Sequence, residues 1–139
     1  MSRSRAQIAV PRTGARRLSA AGVLAAAIVA GLVVHGALPD TTATDIAGDA
    51  LYAAAVYVGL VVLAPRLPAL AVGGIAAAWC VAVELFQLTG LPLVWGAAFS
   101  PVMLVLGTVF DPRDLIVYVV TIAVVTAIAA VWSRSTGSA

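Results

Sequence analysis

Glu84 and Gln87 stand three residues apart inside an apolar run, Ala69 to Leu88, that otherwise reads as a membrane span. That spacing puts both on one helix face, where they can hydrogen-bond each other or a common partner. An ionisable side chain in such a run is costly and is by default a candidate functional group. Asp49 and Tyr52 repeat the same spacing in an earlier apolar run, and Asp114 opens a later one. Together these residues offer hydrogen-bond acceptors, a phenol and an amide, the groups that hold a polar headgroup. The competing reading is hydrogen-bonding glue between helices. No paired general acid and base can be assigned from spacing alone, so the residues do not identify an enzyme.

The remaining reactive residue types fit blander roles. Cys80 lies one turn before Glu84 on the same face, with no His/Asp or His/Asn constellation to activate a thiolate. It reads as a small packing residue. His35 is the single histidine, near the end of the first apolar run, and reads as interfacial. No spacing resembles a metal motif, a Walker loop, a nucleophile elbow or a nucleic-acid signature, so neither cofactor nor nucleic acid is expected. Asp111-Pro112-Arg113-Asp114 is a helix start: Asp111 suits the N-cap, Pro112 the first helical position, and Asp114 the first turn. Asp45 is expected to cap the second helix in the same way, with Asp49 one turn further on.

Composition sets the class of elements that carry these residues. Hydrophobic residues make up 63% of the 139 and charged residues 10%, a balance foreign to soluble domains. The expected fold is all-α, a polytopic four-helix transmembrane bundle in contact with the lipid bilayer. Its spans are read at 18–38, 47–64, 69–88 and 115–132, each close to the ~20 residues needed to cross. A basic tail, 1–17, precedes them and a polar tail, 133–139, follows. The first run, at 21 residues, exceeds the core of a secretory signal, which favours an uncleaved helix. Small residues in the first and third runs, such as Ala30-Gly31 and Gly73-Gly74, permit close packing within a monomer or a homo-oligomer.

Residues 89–110 are the ambiguous piece. Pro92, Gly96, Pro101 and Gly107 interrupt them. The expectation is an interfacial or re-entrant hairpin of short helical pieces, with a fifth span as the competitor. Arginines do not decide between the two. With the N-terminus cytoplasmic, Arg3, Arg5, Arg12, Arg16, Arg17, Arg66 and Arg134 fall inside and only Arg113 outside, and a fifth span merely exchanges Arg134 and Arg113. Helix quality favours four spans, with both termini on the cytoplasmic side of a bacterial plasma membrane. All six carboxylates then lie toward the outer face. The N-terminal arginines read as a topogenic stretch facing anionic lipid.

Gly48-Asp49-Ala50-Leu51-Tyr52 with Val56-Tyr57, then Val83-Glu84-Leu85-Phe86-Gln87-Leu88, then Leu106-Gly107-Thr108-Val109-Phe110 and Asp114-Leu115 with Tyr118 resemble a bacterial membrane family, domain of unknown function 2809. The order Asp, Glu-x-x-Gln, Asp also looks distantly like the VanZ-like proteins. The first resemblance implies a compact four-helix bundle in which Asp49, Tyr52, Glu84, Gln87 and Asp114 converge near the outer face, and it implies no established reaction. The chain departs from the family pattern over Leu93–Ser100 and around Thr121-Ile122. Two functions follow as expectations: binding of an envelope lipid or lipid-linked precursor through the polar cluster, or a structural accessory subunit without a ligand.

Overall fold

The computed structural model describes residues 12–137; expectations placed on residues 1–11 and 138–139 lie outside it. Six helices follow one another: α1 (Arg12–Ala37), α2 (Thr42–Leu63), α3 (Ala69–Gln87), α4 (Leu91–Ala98), α5 (Pro101–Leu106) and α6 (Pro112–Gly137). Four of them, α1, α2, α3 and α6, are long and apolar enough to cross a membrane. The fold is the expected all-α, four-span bundle. α4 and α5, at 8 and 6 residues, are about 12 and 9 Å long and too short for a ~30 Å hydrocarbon core.

Local chemistry explains the boundaries between 88 and 112. Proline lacks an N–H, which a helix does not need in its first turn. Pro92, Pro101 and Pro112 each open a helix rather than kinking one. Gly90 and Gly107 are the positive-φ residues among those described, at 71° and 63°. They bracket the α4–α5 hairpin. Inside it, Gly96 lets Met103 pack directly against the α4 backbone.

α2 is the central helix, packed on α1, α3 and α6; α3 also packs on α6, and α1 touches α2 alone among the described elements. The seam is built on four-residue spacing: Ala53, Tyr57 and Val61 from α2; Val72, Ala76 and Cys80 from α3; Tyr118 and Ile122 from α6. Residues four apart align on one face, so these rows interlock. Small residues bring the backbones close. A Cβ at Gly73 would land on the Thr126 side chain, which fixes how near α3 lies to α6. Cys80 is fully buried in this seam, a packing position. Leu, Ile and Val side chains such as Leu32, Ile75, Ile116 and Val124 face outward, as lipid contact requires.

Two helix ends differ from expectation. Thr41, not Asp45, caps α2: its hydroxyl accepts from Thr44 N–H at 3.2 Å while its own N–H donates to Thr44 Oγ1 at 2.9 Å. This reciprocal capping box outcompetes Asp45, which is left in the first turn. Asp49 is therefore two turns into the helix.

The second difference is at the opposite end. α1 already includes Arg16 and Arg17, and these side chains reach across to the C-terminus of α2. Arg16 Nη1 donates to Pro65 O at 2.6 Å and Leu67 O at 3.2 Å; Arg17 Nε donates to Val62 O at 2.8 Å. The last carbonyls of a helix lack intrahelical partners and carry its negative pole, so the Arg17 guanidinium suits them. Arg17 thus caps α2, while Arg16 ties α1 to the loop that follows it. Arg16→Gln is expected to lower stability by about 1–2 kcal/mol, the scale of a charge-assisted hydrogen bond. Thermal unfolding in detergent checks this; an unchanged transition would mean that the contacts contribute nothing net.

Candidate functional site

The bundle has an acidic end and a basic end. The start of α2, the end of α3 and the start of α6 meet at the acidic end, and the connector from α5 to α6 crosses over them. The basic end holds Arg16, Arg17, Arg66 and Arg134.

All five sequence-selected residues are at the acidic end, but they divide by role. Tyr52 and Gln87 terminate α5. The Tyr52 hydroxyl donates to Val105 O at 2.6 Å and accepts from Trp79 Nε1 at 3.1 Å. Gln87 Nε2 donates to Leu106 O at 2.9 Å. A six-residue helix has too few turns to satisfy its own last carbonyls, and these two side chains supply the donors. Gly107 follows with φ 63° and ψ −159° and packs against the Gln87 amide.

Glu84 is wholly buried, at 0% exposure, the largest side chain so enclosed. Its Oε2 accepts from the Asp111 N–H at 3.4 Å. Glu84 and Gln87 therefore do not bond each other; their common partner is the connector backbone. The Tyr118 hydroxyl stands beside the same carboxylate, yet Glu84 Oε1 makes no hydrogen bond. Asp49 and Asp114 are neighbours across the α2–α6 contact. The Tyr52 and Tyr118 rings close the floor beneath, with centroids 5.8 Å apart.

Asp111 does what its motif predicts: its Oδ1 accepts from the Arg113 N–H at 2.8 Å, capping α6. Arg113 is the residue that sequence reasoning passed over. Its guanidinium lies 3.7 Å from Asp45, 3.5 Å from Asp111 and 3.6 Å from Asp114, joining the first turns of α2 and α6. A signal was present, since Arg113 is the one arginine placed with the acids. Tyr118 and Trp79 also belong to the site; Tyr118 falls one turn beyond Asp114, whereas nothing in sequence singles out Trp79.

At this end the acceptors Glu84 Oε1, Gln87 Oε1 and Asp114 Oδ1 and the donor Arg113 Nε are enclosed and lack hydrogen-bond partners. Gln87 cannot flip its amide to relieve this, because Leu106 O needs the NH2 group. Each unpaired buried acceptor costs about 1–3 kcal/mol; Asp114 Oδ1 has Arg113 Nε 3.6 Å away, whereas Glu84 Oε1 and Gln87 Oε1 have no hydrogen-bond partner. Among the described residues no three His, Cys, Asp or Glu side chains are grouped as a metal site. An apolar groove of about 410 Å³ between α3 and α6, lined by Leu70, Gly73, Ile122 and Thr126, lies away from this cluster.

Residues 38–122 match the family described as Protein of unknown function (DUF2809). The match starts where α1 ends and contains all five selected residues with Arg113 and Tyr118. No curated protein and no solved structure matches the chain. The matched stretch is more than half of the sequence and carries the whole polar cluster on a bundle whose four long helices are apolar enough to span a membrane, and this chain belongs to the DUF2809 family.

Proposed function

We propose that the acidic end binds the headgroup of a cell-envelope lipid or lipid-linked precursor, with Asp49, Tyr52, Glu84, Gln87 and Asp114 forming the site. One observation carries the reading: Glu84 is fully enclosed at 0% exposure and keeps one carboxylate oxygen without a donor. A side chain present only to join helices has its polar atoms paired within the bundle. Tyr52 and Gln87 hold the connector in place over the site; Asp49, Glu84 and Asp114 face the ligand.

Anything that binds the folded state raises its stability, by about 2.7 kcal/mol at a hundredfold excess over Kd. Bacterial polar lipid extract, added to the detergent-purified protein, is expected to raise the unfolding temperature of wild type. Glu84→Gln and Asp114→Asn are expected to lose most of that gain. Equal gains in all three would sink the proposal.

The second reading, a ligand-free accessory subunit, draws on the hydrogen bonds that Tyr52, Glu84 and Gln87 make to backbone between Val105 and Asp111. Those bonds use one end of Glu84 and one end of Gln87 and leave the other end idle, which favours the ligand.

The arginine distribution supports a bacterial plasma membrane with both termini cytoplasmic and the site at the outer leaflet. In intact cells, a cysteine introduced next to Arg134 is expected to resist an impermeant thiol reagent. Ready labelling would reverse the orientation.

A further inference from the structure

We propose that the group this site takes is a primary ammonium, carried on a lipid whose phosphate lies at the Arg113 rim; this rests on the headgroup reading above. The interior is short of donors. Glu84 Oε1 and Gln87 Oε1, on side chains 0% and 6% exposed, lie on one face of α3 and lack hydrogen-bond partners. Each side chain has its other polar atom committed to the connector backbone. An ammonium carries three N–H donors and no acceptor, which suits this pair of idle acceptors.

Charge points the same way. Among the described residues, the carboxyl groups of Asp45, Asp49, Glu84, Asp111 and Asp114 share this end with one guanidinium, that of Arg113. That guanidinium sits at the rim, with its side chain 37% exposed beside the more open Asp45 and Asp111. A ligand with its cation inward and its anion outward matches this order. A neutral polyol supplies donors but brings no cation to these carboxyl groups. A quaternary ammonium answers the charge but has no N–H to give.

Access is through the connector. The α4–α5 hairpin ends in Gly90 and Gly107, both in backbone conformations that glycine adopts without strain. It is held over the site by the Tyr52 and Gln87 hydrogen bonds.

The test compares three lipids with identical acyl chains, phosphatidylethanolamine, phosphatidylcholine and phosphatidylglycerol, each titrated into wild-type protein and followed by native mass spectrometry. Phosphatidylethanolamine is expected to bind about tenfold tighter than either of the others. That preference should vanish in Glu84→Gln and persist in Asp40→Asn, outside the site. Equal binding of the ethanolamine and choline lipids, or preference for the glycerol lipid, would overturn the primary ammonium and leave the headgroup reading standing. Retention of no lipid, with free phosphoethanolamine unbound as well, would overturn both. Free phosphoethanolamine is titrated in parallel: if it binds while no lipid does, the ammonium chemistry holds and the lipid source is wrong. The wild-type comparison needs no mutant to fold.

Discussion

Gly107→Ala is expected to be among the most damaging single substitutions in the chain. At φ 63° and ψ −159° the residue occupies backbone space that is nearly exclusive to glycine. The new methyl group would also displace the Gln87 amide, breaking its hydrogen bond to Leu106 O. Strain and the lost bond together come to about 2–4 kcal/mol. Gly90→Ala is the control: its φ of 71° costs about 1–2 kcal/mol, and nothing lies within reach of the added carbon. Unfolding in detergent should separate the two by several degrees, and limited proteolysis of the Gly107 variant should cut the 99–110 segment faster. Equal behaviour of the two alanines would show that the Gln87 contact does not hold the connector.

Glu84 is expected to separate ligand binding from folding. Glu84→Gln keeps the size of the side chain and an oxygen to accept the Asp111 N–H, so its stability without lipid should stay within about 1 kcal/mol of wild type. Glu84→Leu leaves that N–H without its acceptor, a loss of about 1–3 kcal/mol. Both should lose most of the lipid-dependent gain. Under the accessory-subunit reading the two effects travel together: Gln is neutral in every measurement, and Leu weakens everything in proportion to abundance. Unfolding curves for both variants, with and without lipid, decide the matter.

The four spans were legible because each is an apolar run of the necessary length, and Ala-rich seams left no ambiguity about helix. The hairpin at 89–110 was legible through proline spacing, although its prolines turn out to begin helices. Asp111 announced its cap because Pro112 follows it directly. Asp45 misled because Pro39 to Asp45 contains several residues able to cap, and only the Thr41–Thr44 reciprocity decides among them. Arg16 and Arg17 were readable as charge but not by their contacts, since their partners lie 45 to 51 residues away and depend on how α1 leans on α2.

The site shows the same division. Spacing put Glu84 and Gln87 on one face, and the face is real. That they grip the connector rather than each other depends on where α5 ends, and the sequence of α3 contains no information about that. The joining of Asp45, Asp111 and Asp114 by Arg113 likewise needs α2 and α6 to run parallel from the same end.

The central claim is that Glu84 faces a lipid headgroup. Lipid-resolved native mass spectrometry of protein purified from its membrane, wild type beside Glu84→Gln, tests it most directly. The account predicts a discrete lipid on the wild type that is missing from the variant. The same unselective lipid adducts on both would contradict it and leave Glu84 as a structural residue of the bundle.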